Sequence, residues 1–320
     1  IMKILQEAGL PDGVMNLVYC SGPDASEVAL NDENFAGIHF TGSTRVFDGM
    51  WKTIAQNVPK YKSYPRIVGE TGGKDYVFAD PTANAKQVST ALTRGSFEYQ
   101  GQKCSAASRA YIPENLWPDV KKYMEEDLKK ITVGDVEDFS NFVNAVIDED
   151  SFDKLAKVID DVETSPDADI AIGGKYDKSV GYFIHPTVIL AKKPDYVTMR
   201  EELFGPILTV YVYKENQVEE TLDLLDKTSP YALTGAIFSA RRDKLEHYTE
   251  RLTHTAGNFY INDKPTGAVV DQQPFGGGRR SGTNDKAGSI FNMIRWVSPQ
   301  CIKETFVPAE DYMYPNFLEK

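Results

Sequence analysis

The sequence predicts an α/β protein built around parallel strands, and three observations favour this fold class. First, short apolar runs alternate with amphipathic helical segments between residues 201 and 261, as crossover connections between parallel strands require. Second, the apolar run at residues 36 to 40 leads into a glycine turn and then into apolar residues at helical spacing from Val46. Third, 320 residues with 41% hydrophobic side chains are enough for a large core and for two domains.

The composition argues against several classes of function. A net charge of −12 and a pI near 4.9 argue against a nucleic-acid-binding protein, which needs a basic face. The three cysteines are far apart and lack metal-ligand spacing, so we predict no disulfide framework, no metal site and a reducing compartment. No apolar run approaches the roughly 20 residues of a membrane span, and no signal peptide opens the chain, so we predict no membrane partner.

The pattern of apolar residues and turn signals predicts most elements of the chain. Five of the predicted helices can be located. The first ends near Gly9, the second begins near Val46, and the third begins after Asn84, which would cap it. The other two cover residues 115 to 131 and 152 to 162. Predicted strands cover residues 14 to 19, 36 to 40, 108 to 113, 170 to 172, 182 to 190, 207 to 213, 235 to 239, 257 to 261 and 301 to 307. The long glycine-rich loop over residues 263 to 282 is typical of a functional loop.

Cys104 is the candidate nucleophile. It lies in the run GQKCS at residues 101 to 105, between an amphipathic helix and the predicted strand at residues 108 to 113. A cysteine attacks a carbonyl carbon as the thiolate, and a nearby cation lowers the pKa of the thiol. Lys103 is the nearest cation in the sequence, so we expect it to activate Cys104. On residue type alone, a small buried hydrophobic residue is the alternative interpretation.

Glu70 is the second candidate catalytic residue, 34 residues before Cys104. It ends a short apolar run and stands next to the glycine pair Gly72 and Gly73. A carboxylate at a partly buried strand end can have its pKa raised toward neutrality, which suits a general base. The structural alternative is a cap on a helix or turn.

Together these motifs resemble the NAD(P)-dependent aldehyde dehydrogenase superfamily, in which Glu-x-Gly-Gly-Lys is followed by Gly-Gln-x-Cys. Further motifs agree in order: EELFGP from Glu201, Gly257-Asn258 and PFGG from Pro274. Residues 101 to 105, 258 to 264 and 281 to 286, with Ser108 and Arg109, resemble the branch that oxidises glutamate 5-semialdehyde. The resemblance covers essentially the whole chain.

The resemblance implies a domain division. Residues 1 to 72 would be part of a Rossmann-type NAD-binding domain, residues 73 to 285 an α/β catalytic domain, and residues 286 to 320 a C-terminal segment with an oligomerisation strand. Residues 1 to 11 read as the back end of a helix without a front cap, so we expect a segment upstream of Ile1. That segment would carry an oxyanion-hole asparagine and the residues that separate NAD from NADP, so we expect this chain alone to be inactive.

The resemblance also implies the activity and the site residues. The activity would be NAD-dependent oxidation of glutamate 5-semialdehyde, the open form of pyrroline-5-carboxylate, to glutamate in proline catabolism. Cys104 would form a thiohemiacetal and then a thioester, and Glu70 would activate the hydrolytic water. For the cofactor NAD, the implied residues are Gly42 and Ser43 at the pyrophosphate, Glu202 at the nicotinamide ribose and Phe204 at the nicotinamide. For the substrate, they are Ser105, Gly267 and Ala268 at the carboxylate and Phe275 at the carbon chain.

Several members of the superfamily carry serine at the position of Ala268, which weakens the inference there. The resemblance further implies a homodimer or larger homo-oligomer, in the mitochondrial matrix if the source is eukaryotic and in the cytoplasm otherwise.

Three alternatives stay open: oxidation of another small acidic or amino aldehyde, a catalytically silent fragment or scaffold, and a cysteine hydrolase. A hydrolase would need a histidine partner, and no histidine lies beside Cys104 in the sequence.

Overall fold

A seven-stranded sheet is the largest feature of the computed structural model, which describes residues 1 to 317. The strands are β1 (Gly37–Thr41), β2 (Arg66–Glu70), β3 (Asp75–Ala79), β4 (Ala107–Pro113), β5 (Ala168–Ile172), β6 (Tyr176–Asp177), β7 (Phe183–Ile184), β8 (Thr187–Ala191), β9 (Ile207–Tyr213), β10 (Tyr231–Ala232), β11 (Thr234–Phe238), β12 (Asn258–Ile261) and β13 (Gly278–Arg279). The helices are α1 (Met2–Glu7), α2 (Gly22–Ala29), α3 (Thr44–Asn57), α4 (Ala85–Phe97), α5 (Trp117–Leu128), α6 (Glu149–Glu163), α7 (Val197–Arg200), α8 (Val218–Thr228), α9 (Arg242–Arg251) and α10 (Ile290–Ile294). Short 3₁₀ turns cover Val58–Lys60, Glu98–Gly101 and Pro315–Phe317.

The large sheet is almost entirely parallel, in the order β12-β11-β3-β4-β9-β8-β5. Its neighbours run parallel except β5, which is antiparallel to β8. A second, two-stranded parallel sheet joins β1 to β2. The pairs β10 with β13 and β6 with β7 are short and antiparallel. The predicted α/β class with a parallel sheet is therefore confirmed.

Both faces of the large sheet are covered by helices, which is why its central strands are largely apolar. Alternate residues of β3 point to opposite faces. Val77 packs with side chains of α4 and α5, whereas Tyr76 and Phe78 pack with side chains of α8 and α9. Burial of a large apolar side chain contributes about 1.5 to 3 kcal/mol, so these two layers supply much of the stability of the sheet. The apolar stripe of α3, including Phe47 and Ile54, covers the small sheet.

Polar side chains fix where three helices begin. Asn84 Oδ1 accepts the N–H groups of Lys86 and Gln87, at 3.0 and 3.1 Å, at the start of α4. This cap confirms the prediction for Asn84. Ser43 Oγ accepts the Val46 N–H at 3.3 Å in α3, and Asp148 caps α6 in the same way.

Two predicted strands and one strand boundary differ from the structure. Residues 14 to 19 and 301 to 307 form no strand and are exposed. A strand needs a neighbour to satisfy its backbone N–H and C=O groups, and no segment of residues 1 to 317 pairs with either stretch. The single strand predicted over residues 182 to 190 is divided into β7 and β8. Pro186, which has no N–H to donate, lies at the division.

Across residues 1 to 317, no helix is both long enough and apolar enough to cross a lipid bilayer.

Candidate active site

A cavity of about 870 Å³ lies where β2 of the small sheet approaches the loops that follow the large sheet. All of the sequence-predicted site residues line this one cavity. They are Gly42, Ser43, Glu70, Cys104, Ser105, Glu202, Phe204, Gly267, Ala268 and Phe275. The chain thus brings together residues that are far apart in the sequence, while the roles assigned to them remain predictions.

Glu70 is the last residue of β2, and its side chain is buried. Its backbone forms a bridge to Gly282, and neither carboxylate oxygen has a hydrogen-bond partner among the described residues. Burial raises the pKa of Glu70 to about 7, the positive charge of Lys286 opposes this rise, and the negative charge of Asp285 adds to it. A carboxyl group with this pKa can both accept and release a proton near neutral pH.

Cys104 follows a strained stretch of backbone. Tyr99, Gln100 and Gly101 have φ angles of 52°, 59° and 62°, in the left-handed region that only glycine adopts readily. Strain of this kind persists where the surrounding structure over-determines it, and it is common at active sites. Here it turns the chain sharply between α4 and β4, so that Cys104 faces the cavity.

The expectation that Lys103 activates Cys104 is wrong. The Lys103 ammonium pairs with Glu98 Oε2 at 3.2 Å and lies 4.9 Å from the centre of the Tyr99 ring. Burial raises the pKa of the Cys104 thiol to about 12, and the carboxylates of Asp75, Glu202 and Glu70 add to the rise. The neighbouring positions of Lys103 and Cys104 in the sequence could not reveal that the Lys103 side chain turns toward the Glu98 carboxylate. A base within the cavity is therefore needed to form the thiolate.

Because Gly72 and Gly73 have no side chains, the Cys104 backbone and the Glu202 side chain can lie close to the backbone that follows β2. Glu202 Oε1 accepts the Gly73 N–H at 2.8 Å. A Cβ atom on Gly73 would collide with the carbonyl oxygen of Cys104, and one on Gly72 would lie 2.7 Å from Glu202 Oε2. Burial raises the pKa of Glu202, and the Gly73 hydrogen bond opposes that rise. A side chain at Gly73 would meet fixed backbone, whereas one at Gly72 would displace the end of the Glu202 side chain.

The residues before α3 and the Phe204 side chain also line the cavity. Gly42 and Ser43 lie directly before α3, a helix of 14 residues, and the Gly42 N–H donates to the Glu70 carbonyl at 3.1 Å. A helix of this length presents its positive dipole end and free N–H groups to an anion. Phe204 has a φ of 60° and is partly exposed. This strained aromatic residue presents its ring to the same cavity.

Ser105, Gly267, Ala268 and Phe275 line the cavity, and their role in binding the substrate stays a prediction. The Ser105 hydroxyl is buried and bonded to the Thr266 hydroxyl at 2.7 Å. Phe275 is held through its backbone, which exchanges hydrogen bonds of 2.9 and 2.7 Å with Ala287. Sequence reasoning missed Thr266, although its place in the predicted functional loop was a signal.

Three charged residues behind the cavity were also missed. Lys74 and Arg109 belong to the motifs that carried the resemblance, but no role was predicted for them. The Lys74 ammonium is buried without a partner among the described residues, and burial lowers the pKa of Lys74. Arg109 Nε donates to the Lys74 carbonyl at 2.7 Å. Asp75 accepts the Thr234 N–H at 2.6 Å, and burial raises the pKa of Asp75.

Within the described part of the chain, no three His, Cys, Asp or Glu side chains gather in a way that could hold a metal ion.

The chain matches the model of the aldehyde dehydrogenase family over residues 1 to 297. It is similar to the mitochondrial delta-1-pyrroline-5-carboxylate dehydrogenase of Dictyostelium discoideum, with 53% identity over 100% of this chain and 58% of the relative. It is also similar to the human mitochondrial protein of the same name, with 47% identity over 98% of this chain and 56% of the relative.

Solved structures agree with these relatives. The delta-pyrroline-5-carboxylate dehydrogenase of Mycobacterium tuberculosis, crystallised with NAD, has a TM-score of 0.92 and 48% identity over 99% of this chain and 58% of that one. The Thermus 1-pyrroline-5-carboxylate dehydrogenase with bound NAD has a TM-score of 0.85 and 32% identity over 92% of this chain and 56% of that one.

The chain spans somewhat more than half the length of the curated relatives it matches. The family model covers nearly all of its residues, and the fold agrees with that match. This chain belongs to the aldehyde dehydrogenase family.

Proposed function

We propose that the protein carrying this chain oxidises glutamate 5-semialdehyde to glutamate with NAD as the oxidant, a reaction of proline catabolism. The observation that carries the proposal is the meeting of Cys104, Glu70 and Glu202 in one cavity. It is supported by the names of relatives that are about half identical in sequence. The alternative within the family is another small acidic or amino aldehyde, which a screen of semialdehydes would separate.

The residues present fit NAD. The N-terminus of α3, with Gly42 and Ser43, suits the pyrophosphate. Glu202 Oε2 faces Gly72, whose missing side chain leaves room beside that oxygen, so Glu202 suits a ribose hydroxyl. Phe204 suits the nicotinamide end. When bound, NAD accepts the hydride that leaves the substrate carbon.

The domain division follows from this assignment. We propose residues 1 to 72 as part of the NAD-binding domain and residues 73 to 285 as the catalytic domain. Residues 286 to 320 would form the C-terminal segment, of which the last three lie outside the described residues. The first boundary falls between β2 and β3, which belong to different sheets.

The first half-reaction depends on Cys104. Its sulfur attacks the aldehyde carbon and forms a thiohemiacetal, whose oxyanion we assign to the backbone N–H of Cys104. Because burial and three carboxylates hold the pKa of the thiol at about 12, the proton must pass to a base as the bond forms. Glu70, whose pKa is about 7, lines the same cavity and suits that task.

The second half-reaction depends on Glu70. Loss of the hydride leaves a thioester on Cys104, which water must hydrolyse. Glu70 first releases the thiol proton to solvent, which a pKa of about 7 allows near neutral pH. We assign the ionised Glu70 as the base that then takes a proton from this water, so that the hydroxide attacks the thioester carbon. The two unpartnered oxygens of Glu70 are free to accept that proton. The C–S bond breaks, glutamate leaves, and the thiolate takes the proton back from Glu70.

Substrate selectivity would come from the groups beside the thiol. We assign Ser105 and the backbone N–H groups of Gly267 and Ala268 to the substrate carboxylate, and Phe275 to its carbon chain. Charge-assisted hydrogen bonds of this kind contribute about 1.5 to 3 kcal/mol each.

We propose a homo-oligomer as the working form, with residues 301 to 307 pairing as a strand against a partner subunit. Their exposed apolar side chains, including Ile302, Phe306 and Val307, favour that role. For a eukaryotic source we propose the mitochondrial matrix, since the Dictyostelium and human relatives are named mitochondrial. For a bacterial source we propose the cytoplasm.

The central test is Cys104→Ala in the intact protein, measured by the absorbance of NADH formed from glutamate 5-semialdehyde. We expect oxidation to be abolished, because no other thiol lines the cavity within the described residues. NAD affinity, measured by calorimetry, should be unchanged. Cys20→Ala is the matched control, since Cys20 is exposed, and it should retain full activity. Turnover by Cys104→Ala would refute the assignment of the nucleophile.

A further inference from the structure

The turn formed by residues 283 to 287 is strained, and its two ends are bonded to Gly69 of β2 and to Phe275. Asn284 and Lys286 have φ angles of 55° and 54°, in the left-handed region that glycine favours. Each such residue costs of order 1 to 3 kcal/mol and persists where other contacts hold it. The contacts that hold this turn in its strained conformation therefore indicate its role.

Lys286 makes the main contacts of the turn. Its ammonium donates to the carbonyl oxygens of Gly257 and Gly276, at 2.6 and 2.7 Å, and lies 3.4 Å from Asn258 Oδ1. The backbone bonds between Phe275 and Ala287 close the same corner. Lys286 thus ties the start of β12 to the chain beside Phe275, a predicted substrate contact.

Glu70 lies on the other side of Gly276. A Cβ atom on Gly276 would be 3.0 Å from Glu70 Oε1 and 3.4 Å from the backbone nitrogen of Lys286. Gly276 therefore separates the carboxylate from the turn by only one small residue. The carboxylate has no hydrogen-bond partner among the described residues, so nearby charge decides its ionisation.

We propose that Lys286 is a positioning residue of the active site: its ammonium fixes the Phe275–Gly276 corner and supplies the positive charge that favours ionised Glu70. Lys286 acts through Glu70, since it is not among the residues that line the cavity. Its kinetic consequence rests on the function proposed above, whereas its effect on the Glu70 carboxyl does not.

The charges around Glu70 support this role. Lys286 lowers the pKa of Glu70 and Asp285 raises it, both from the turn at residues 283 to 287, against the larger rise caused by burial. Asp285 is itself paired with Arg295 Nε at 3.1 Å, which reduces its effect. The Cys104 thiol, with a pKa of about 12, is neutral when Glu70 titrates. Glu202, Lys103 and Lys154 also line the cavity, but the charges that shift the pKa of Glu70 are those of Lys286 and Asp285. Lys286 is therefore the positive charge that opposes the rise in the pKa of Glu70.

The test is the titration of the Glu70 carboxyl by difference infrared spectroscopy, with its band assigned by its loss in Glu70→Gln. This measurement needs neither NAD nor substrate. We expect Lys286→Gln, which keeps a donor but loses the charge, to raise the midpoint by about one pH unit. Lys286→Arg, the charge-retaining control, should leave the midpoint near that of the wild type, and Asp285→Asn should lower it.

An unchanged midpoint in Lys286→Gln would overturn the proposal, because a purely structural role would alter packing and not the ionisation of Glu70. If Lys286→Gln does not fold, Asp285→Asn tests the same electric field with the opposite sign, and an unchanged midpoint there would also overturn it. In the intact enzyme, the midpoint of the pH profile of kcat should move in the same order. A wild type without NAD reduction would refute the proposed function and leave the infrared result standing.

Discussion

Glu70 illustrates the conflict between stability and function at a single residue. Its carboxyl group is buried without a hydrogen-bond partner among the described residues. A buried charge without a partner destabilises the folded state. The same burial raises the pKa of Glu70 to about 7, which suits a base near neutral pH. We therefore expect the wild-type protein to be less stable than a variant without this charge.

Glu70→Gln tests this conflict through the pH dependence of unfolding. The pKa of Glu70 is raised from 4.5 to about 7, so its favourable effect is present below pH 4.5 and is lost as the pH rises to 7. Glutamine does not ionise. We expect the variant to gain about 2 to 3 kcal/mol over the wild type at pH 8 and less than about 1 kcal/mol at pH 5. Urea unfolding at both pH values measures the difference, and an equal gain at both would contradict the burial of a charge.

Ser105 differs from the prediction in one respect, since its hydroxyl already has a partner in Thr266. A hydroxyl can donate one bond and accept others. Ser105 can therefore keep the Thr266 contact as acceptor and still donate to a carboxylate. The pair forms a preorganised donor, because Thr266 fixes the orientation of the serine.

We predict that Ser105→Ala lowers kcat/KM for glutamate 5-semialdehyde roughly ten- to a hundredfold, since one charge-assisted hydrogen bond is lost. An uncharged aldehyde of similar length should lose far less, because it has no carboxylate. Ala268→Ser is the control and should be neutral or mildly favourable. The measurement is the ratio of kcat/KM for the two aldehydes. Equal losses for both would mean that Ser105 acts on Cys104 and does not bind the substrate carboxylate.

At the scale of elements, periodicity located most strands of the large sheet and several helices, but it did not predict β3, which is buried along its whole length. The strand predicted over residues 207 to 213 is β9, and the one predicted over 257 to 261 is β12 within one residue. β9 is largely buried on both faces, so its apolar run is continuous, whereas β12 lies at the edge of the sheet and its last residue, Ile261, is exposed. Residues 14 to 19 and 301 to 307 carry a similar pattern but have no neighbouring strand. The local pattern of apolar residues does not show whether a neighbouring strand is present to pair with.

The candidate site was predictable in its residues but less so in its electrostatics. Motif spacing led to every predicted lining residue of the cavity. The direction of Lys103 and the charge of Lys286 near Glu70 depend on side chains that meet only after folding. Glu98 is near Lys103 in the sequence, but spacing does not show which way the lysine side chain turns. Lys286 is far from Glu70 in the sequence, and only the fold brings the two charges close.

The junction between β2 and β3 depends on Gly73. A side chain there would collide with the carbonyl oxygen of Cys104, which is backbone and cannot rotate away. We predict that Gly73→Ala displaces the thiol and lowers kcat about a hundredfold or more, with a loss of about 1 to 3 kcal/mol of stability. NADH formation and urea unfolding measure the two effects.

Gly49→Ala is the matched control for this substitution. Gly49 lies within α3, is exposed, and has open space where its side chain would be. Alanine should stabilise the helix by up to about 1 kcal/mol and leave activity unchanged. An active Gly73→Ala protein with normal stability would show that the backbone there relaxes without moving Cys104.

At the scale of the whole molecule, a short segment of the C-terminal half joins the two main sheets. Thr71 donates its N–H to the Ser281 carbonyl at 2.9 Å. The Ser281 hydroxyl accepts the Ala232 N–H at 3.0 Å, next to the large sheet. Thr283 Oγ1 accepts the Gly69 N–H at 3.0 Å in the small sheet. Because Glu70 lies in the small sheet and Cys104 lies beside the large one, residues 281 to 283 set the distance between the two candidate catalytic groups.

Thr283→Val tests whether this segment stabilises the small sheet. Valine keeps the shape of threonine but leaves the Gly69 N–H without its partner, which costs about 1 to 2 kcal/mol. We expect amide hydrogen exchange in β1 and β2 to become roughly 5 to 30 times faster, while β4 and β9 of the large sheet stay protected. Thr253→Val is the control, because the Thr253 hydroxyl bonds only to carbonyls at the end of α9. Equal acceleration in both sheets would mean that they open as one cooperative unit, so that the segment stabilises the whole molecule and not the small sheet alone.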